Sequence, residues 1–220
     1  MGWLSESLNS SIGKKIIMAV TGTFLIVFLT VHLLGNLTLF ANDGGTAFNN
    51  YAHLLRSMKF TIIMEIGLGL IFFFHIFNGI RLWIENKKAR PINYAVNGIR
   101  KNTNIFSRTM AITGSVVFIF LVIHLKAFFV DHTLLGKGEN LFVMVKDAFN
   151  NPIISWFYVI AVAILSFHLN HGFQSAFQTF GWNHKKYTPF INALGIIYST
   201  IIGIGFAAMP IYFLFFYGGK

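Results

Sequence analysis

The stretch Met18-Ala-Val-Thr-Gly22, followed by Phe28-Leu29 and His32-Leu33, decides the fold of this chain because it occurs twice. The second copy lies 92 residues further on and reads Met110-Ala-Ile-Thr-Gly114, then Phe120-Leu121 and His124-Leu125. Eight of the sixteen positions 18–33 are identical in the two copies, far more than apolar composition alone would produce.

A weaker repeat follows each copy of this stretch. Phe74-His75-x-x-x-Gly79 returns as Phe167-His168-x-x-x-Gly172, at an offset of 93 residues. The sequence therefore predicts two copies of one helix pair, with one histidine on each of four helices. Copies that contain an even number of spans have the same orientation, so their pseudo-twofold axis runs along the membrane normal.

The composition places these helices in a membrane. Of the 220 residues, 55% are hydrophobic and only 11% are charged, and apolar runs of about 20 residues are typical of membrane-spanning helices. We predict an all-α polytopic protein with five spans at about 16–40, 60–84, 107–130, 152–180 and 190–217, forming a single transmembrane domain over 1–220. The amphipathic start lacks the basic region of a cleavable signal peptide, so none is expected.

The net charge of +10 is better explained by membrane topology than by nucleic-acid binding, because the cytoplasmic ends of membrane helices collect lysine and arginine. With the N-terminus inside, eleven cations lie on the inner side: Lys14, Lys15, Arg81, Lys87, Lys88, Arg90, Arg100, Lys101, Arg108, Lys185 and Lys186. Six lie on the outer side: Arg56, Lys59, Lys126, Lys137, Lys146 and Lys220. This distribution favours a cytoplasmic N-terminus and an outer C-terminus.

Depth in the membrane pairs the four histidines. At 1.5 Å per residue, His32 and His124 lie near the outer ends of helices that run outward, whereas His75 and His168 lie near the inner ends of helices that run inward. An ionisable side chain inside a membrane span is a functional-site candidate. Two axial imidazoles on facing helices of a four-helix bundle bind a six-coordinate haem with no open position. The pattern thus predicts two stacked bis-histidine sites, with room for a porphyrin beside the small residues Gly35, Gly79 and Gly172.

Other ligand chemistries fit less well. The chain has no cysteine, which excludes thiolate iron–sulfur ligation and covalently attached c-type haem. Zinc would find half its tetrahedron empty with two histidines. Core histidines bonded to backbone carbonyls are the alternative at any one position, but four histidines repeated in sequence and paired in depth disfavour it.

At these residues the chain resembles the di-haem cytochrome b membrane anchor of succinate:quinone oxidoreductases, of the single-chain, five-helix type. The resemblance covers about 12–216. It is carried by the two Thr-Gly pairs ten residues before His32 and His124, and by the histidine–glycine runs at His75 and His168. The motifs Pro91-Ile-Asn-Tyr94 and Ala47-Phe48-Asn49 followed by His53 carry it further.

This resemblance implies two b haems, with His32 and His124 as axial ligands of the outer one and His75 and His168 as ligands of the inner one. It also implies an FAD-containing flavoprotein subunit and an iron–sulfur subunit on the cytoplasmic face of a bacterial membrane, and electron exchange with a membrane quinone, menaquinone. It is compatible with a dimer of complexes in the lipid. Dicarboxylate chemistry is not expected of this chain alone, because it carries no flavin motif.

Five further residues are candidates for roles around the haems. Haem propionates need donors near a membrane face: Arg81 and His171 are candidates at the inner haem, and Lys126, with His132, at the outer one. Snorkelling to the interface, or for His171 a helix contact, is the alternative. Glu65, the one acid within a span, is a candidate proton relay for quinone chemistry, or a carboxylate that reaches the outer interface.

Two other functions remain open from the sequence. The chain could anchor a different quinone-linked respiratory complex, such as a nitrate reductase or a hydrogenase. It could instead be a proton-coupled transporter with a histidine relay, which would contain no haem. A haem count separates the transporter from both anchors.

Overall fold

The computed structural model describes residues 2–89, 105–136 and 140–218. Within them the regular structure is entirely helical. The helices are α1 Trp3–Asn9, α2 Ser11–Asn36, a 3-10 turn Leu37–Phe40, α3 Thr46–Ser57, α4 Phe60–Lys88, α5 Ile105–Leu125, a π-helical segment Lys126–Leu134, α6 Leu141–Asn150, α7 Pro152–Thr179 and α8 Thr188–Phe215. The motif at Pro91–Tyr94 and the cations Arg90, Arg100, Lys101, Lys137 and Lys220 lie outside the described residues.

Five helices are long and apolar enough to cross a membrane, as predicted: Ser11–Phe40, Phe60–Lys88, Thr109–Leu134, Pro152–Thr179 and Thr188–Phe215. Large apolar side chains cover their outer surfaces, for example Phe73, Ile160 and Ile204, which are more than half exposed. Such a surface is stable in lipid and not in water. The protein is thus a polytopic membrane helical bundle.

Local signals set where the spans begin. The Ser10 side chain accepts a hydrogen bond from the backbone N–H of Gly13 at the start of α2, and Asn151 accepts from Ile153 and Ile154 at the start of α7, which satisfies N–H groups that have no partner in the helix. Pro152 and Pro189 occupy first-turn positions, where the missing N–H of proline costs no helical hydrogen bond. Pro210 lies inside α8, which continues past it to Phe215.

The bundle is built from the two repeated helix pairs. α2 packs along α4 and α5 packs along α7, and the two pairs meet mainly through α2 and α7. The fifth span, α8, lies along α7 and also contacts α2. Gly203 and Gly205 allow this close approach: a Cβ at Gly203 would lie 3.0 Å from Ser166 of α7, and one at Gly205 would lie 2.8 Å from Leu33 of α2. These two glycines therefore let α8 pack closely against α7 and α2.

Two short helices that the sequence did not predict, α3 and α6, close one end of the bundle. We call it the outer end after the predicted orientation, and the opposite end the inner end. Their apolar faces join the ends of α7 and α8 in one buried cluster, with Phe213 fully buried at its centre: Leu39, Phe48, Phe142, Val145, Phe149, Tyr158, Met209 and Phe213. Gly45, at φ +90°, turns the chain into α3, and a Cβ there would overlap the ring of Phe142. Only glycine satisfies both conditions.

Candidate functional site

The four intramembrane histidines form two pairs. The ring centres of His32 and His124 are 6.0 Å apart, with their planes at 84°. Those of His75 and His168 are 6.5 Å apart, with their planes at 77°. The histidines that were paired by their depth in the membrane are therefore neighbours across the bundle. Each pair joins one helix from each copy of the repeat.

The Thr-Gly motif of the repeat supports the inner pair from the neighbouring helix. Thr21 Oγ1 lies 3.2 Å from Nδ1 of His75, and Thr113 Oγ1 lies 3.4 Å from Nδ1 of His168. The glycine that follows each threonine makes room for the same ring: a Cβ at Gly22 would lie 3.4 Å from His75 Cε1, and one at Gly114 would lie 3.3 Å from His168 Cε1. Each Thr-Gly motif therefore lies ten residues before an outer histidine of its own helix but contacts an inner histidine of the neighbouring helix.

Aromatic rings surround the outer pair. Phe28 stacks on His32 at 5.2 Å, and its repeat counterpart Phe120 stacks on His124 at 5.6 Å. Each phenylalanine is four residues before its histidine, which places both rings on one helix face. Phe206 of α8 contacts His32 at 5.6 Å. The Phe-Leu part of the repeat therefore packs against the outer imidazoles.

Polar partners of the outer pair are not repeated. Tyr158 Oη lies 3.4 Å from Nδ1 of His124. Asn36 Nδ2 lies 3.4 Å from Nδ1 of His32 and donates to the His32 carbonyl at 2.7 Å. The Tyr158 oxygen can accept the Nδ1 proton of His124, as the second nitrogen of a metal-bound histidine ordinarily requires, whereas Asn36 Nδ2 is a donor only. Nδ1 of His75, His168 and His124 therefore has a hydroxyl oxygen beside it that can accept its proton, which leaves Nε2 of these three rings for a ligand.

The geometry fits two axial imidazoles on one metal. With metal–nitrogen bonds of about 2.0 Å on both sides and about 1.1 Å from each nitrogen to its ring centre, the two ring centres lie roughly 6 Å apart. Each pair offers two protein donors, and within the described residues no set of three or more His, Cys, Asp or Glu side chains gathers around a metal position. Two donors are what haem requires when its porphyrin fills the other positions.

The three glycines expected to make room for a porphyrin differ in the structure. The prediction for Gly35 is wrong, because the Tyr51 ring of α3 packs on the side where its Cβ would stand. A Cβ at Gly79 would be 3.8 Å from Met18, an ordinary contact, and one at Gly172 would have no neighbour within 4 Å. Gly35 therefore admits the outer closing helix α3 instead.

A charged cluster stands at the inner end of α2 and α4. Lys14, whose side chain is 8% exposed, forms an ion pair with Glu85. Arg81 donates to Glu85 through Nε at 3.0 Å and to Asn9 through Nη1 at 2.8 Å. Arg81, the candidate propionate partner, thus lies at the inner end as expected and shares Glu85 with a lysine. Sequence reasoning counted Lys14 only as an inner charge, although it lies two helical turns before Thr21 and so on the same face.

At the outer end, the candidate donors separate. Lys126 is 69% exposed and pairs with Asp131 at 2.8 Å. His132 instead lines a cavity of about 520 Å³ at the outer face, together with His53 and Arg56. α3 places His53 and Arg56 on one face, three residues apart. His53 and His132 therefore lie together at one water-facing pocket.

His171 and Glu65 make few interactions. His171 is partly buried on α7, three residues after His168, and neither it nor Glu65 forms an ion pair in the described part of the chain. Glu65 is exposed on the outer half of α4. The pairs Thr21–His75 and Met18–Gly79 fix the antiparallel register of α2 and α4, and this register puts Glu65 at the level of His32.

Comparison with known proteins places this arrangement in a family. The model of the family described as succinate dehydrogenase/fumarate reductase transmembrane subunit matches residues 15–89 and 86–206. The succinate dehydrogenase cytochrome b558 subunit of Bacillus subtilis (strain 168) is 27% identical over 157 residues, which cover 70% of this chain and 72% of that protein. No solved structure matches the chain.

Proposed function

Since the chain belongs to the succinate dehydrogenase/fumarate reductase transmembrane subunit family and is a cytochrome b membrane anchor by that kinship, we propose that it carries electrons between an iron–sulfur subunit and a membrane quinone through two b haems. His32 and His124 hold the outer haem, and His75 and His168 hold the inner haem. A haem with two axial imidazoles has no open position and exchanges single electrons.

The observation that carries this proposal is the geometry of the two imidazole pairs. Both separations, 6.0 and 6.5 Å, match two rings on one metal. Hydroxyl oxygens at Nδ1 of His75, His168 and His124 leave Nε2 of these three rings for the ligand. The packing of Phe28, Phe120 and Phe206 around the outer rings suits an apolar macrocycle.

The proposed partners follow from the family. A succinate dehydrogenase membrane subunit associates with a flavoprotein and an iron–sulfur subunit, which we place on the cytoplasmic side of a bacterial inner membrane. The inner cluster of Lys14, Arg81 and Glu85 lies on that side, and the positive charge predicted there attracts an acidic partner surface. Arg81 and His171 stay proposed partners of the inner propionates, and Lys126 and His132 of the outer ones.

The quinone, proposed to be menaquinone, needs titratable groups near water because its oxidation and reduction move protons. Glu65 is titratable and lies level with His32, and so with the proposed outer haem. The outer cavity faces water and is lined by two more titratable side chains, His53 and His132. We therefore place proton exchange with the outer aqueous phase at this end of the bundle, with Glu65 as the relay.

The test is a reduced-minus-oxidised visible spectrum of the purified membrane complex, with haem counted per chain. We expect two low-spin b haems per chain. A complex without haem would contradict the proposal and return the histidines to a proton relay.

Single alanine variants then assign the ligands. His75→Ala or His168→Ala should remove the inner haem alone, and His32→Ala or His124→Ala should remove the outer haem alone. His184→Ala is the control, since it removes an exposed imidazole in the loop between α7 and α8 and should leave both haems bound. Loss of both haems in every variant would refute the pairing.

A further inference from the structure

We propose that Thr21 and Thr113 are positioning residues that hold His75 and His168 in the tautomer required for metal binding and set the reduction potential of the inner site. The inference rests on the proposed function, because it concerns how the inner ligands are held. It starts from a symmetry: the two threonines occupy the same repeat position, and each contacts Nδ1 of a histidine on the neighbouring helix, at 3.2 and 3.4 Å.

Counting protons gives the direction of these hydrogen bonds. A threonine hydroxyl has one hydrogen to donate and two lone pairs that accept. Thr21 donates its hydrogen to the carbonyl of Ile17 at 2.7 Å, and Thr113 donates to the carbonyl of Met110 at 3.1 Å. Their oxygens are therefore left to accept from the imidazoles, so Nδ1 carries the proton and Nε2 is bare.

The adjacent glycines leave the space in which each ring lies beside its threonine. The Cβ positions of Gly22 and Gly114 would stand 3.4 and 3.3 Å from Cε1 of the respective rings, closer than the usual carbon–carbon optimum of about 3.5–4.0 Å. The imidazoles thus lie directly on the helix backbone beside the hydroxyl. One Thr-Gly dipeptide supplies both the hydrogen-bond acceptor and the space.

The arrangement is specific to the inner pair. At the outer pair the neighbours of Nδ1 are Asn36 and Tyr158, which occupy unrelated positions of the repeat. Position 128, the repeat counterpart of Asn36, is a phenylalanine. Both inner ligands therefore meet a neutral hydroxyl acceptor, whereas the outer ligands meet two different groups.

These hydrogen bonds should lower the reduction potential of the inner haem. A hydrogen bond from Nδ1–H to an acceptor makes the imidazole a more basic ligand, which stabilises the oxidised metal. Removing the acceptor should raise the reduction potential of the inner haem. The outer haem provides an internal reference in the same sample.

The experiment compares Thr21→Val, Thr113→Val and the double variant in the assembled complex. Valine keeps the shape of threonine and removes the hydroxyl. Thr23→Val is the matched control, because Thr23 is on the same helix and its hydroxyl donates to the carbonyl of Ala19 at 2.8 Å, with no histidine contact among the described residues. The measurements are the potential of each haem by redox titration and the low-spin signals by electron paramagnetic resonance.

We expect the potential of the inner haem to rise in each single valine variant and further in the double variant, with the outer haem and Thr23→Val unchanged. Thr21→Ser and Thr113→Ser should restore the original potential. If a valine variant loses the inner haem while its serine counterpart retains it at the original potential, the hydroxyl is still shown to hold the ligand.

Two results would overturn the inference. The first is an inner-haem potential and spectrum that match Thr23→Val in both valine variants. The second is loss of the inner haem in the valine and serine variants alike, since the hydroxyl would then not be the determinant. A complex with no haem in the unmodified protein contradicts the proposed function instead, so the two failures are distinguishable.

Discussion

Replacing Gly22 or Gly114 by alanine should change the inner site while leaving the fold intact. The new Cβ would stand 3.4 Å from His75 Cε1, at the short limit of ordinary contact, or 3.3 Å from His168 Cε1, so the rings must move by up to a few tenths of an ångström to reach the usual contact distance of about 3.5–4.0 Å. The shift takes the imidazole away from its hydroxyl partner at 3.2 or 3.4 Å.

The energetic terms nearly cancel. Overpacking in a filled site costs about 1–3 kcal/mol, and the small overlap here places the cost near the lower end. Alanine in place of glycine within a helix stabilises it by about 1 kcal/mol. The free energy of unfolding should therefore change by less than about 1 kcal/mol, although the inner ligand is displaced.

Redox titration and thermal unfolding of the purified complex check this prediction. The inner haem should shift in potential or lose occupancy, while the outer haem and the unfolding temperature stay close to those of the unmodified complex. Gly69→Ala is the control, because it makes the same exchange on α4 with no neighbour within 4 Å. An equal effect from Gly69→Ala, or a shift confined to the outer haem, would refute the reasoning.

Two further changes test other parts of the molecule. Tyr158→Phe removes the hydroxyl that lies 3.4 Å from Nδ1 of His124, so redox titration should show a shift of the outer haem alone; a shift of the inner haem would contradict the assignment. Gly45→Ala places a side chain at φ +90° and against an aromatic ring. The left-handed conformation costs about 1–2 kcal/mol and overpacking about 1–3 kcal/mol. The free energy of unfolding of the complex should therefore fall by about 2–5 kcal/mol, measured by thermal unfolding. An unchanged unfolding temperature would refute this account of the turn.

The five spans and the pairing of the rings could be predicted because both depend on position along a helix. Apolar run length locates a span, and residue counts from its end give depth, so His32 falls level with His124 and His75 with His168. The repeat supplied the second constraint by showing which helices correspond. Neither argument needs the rotation of a helix about its axis.

Contacts between helices were missed because they depend on that rotation. Thr21 was visible as part of a repeat, but its partner His75 lies 54 residues away on another helix. Lys14 was counted as a surface charge, although its side chain is buried against Glu85. Gly35 was predicted to leave room for a porphyrin because the sequence near it gave no sign of α3, the helix whose Tyr51 fills that space.

The fifth span makes the two sides of a pseudo-symmetric bundle unequal. α8 covers the seam between α2 and α7, where the Tyr198 hydroxyl donates to the carbonyl of Ile26 at 2.7 Å and Ser166 donates to the carbonyl of Ser199 at 2.7 Å. The related seam between α4 and α5 has few contacts among the described residues, and no other described span packs along it. A molecule diffusing within the bilayer therefore meets a sealed wall on one side of the protein and an accessible flank on the other. The duplicated helix pairs alone would have left both flanks equivalent, so within the described residues the unrepeated helix is what distinguishes them.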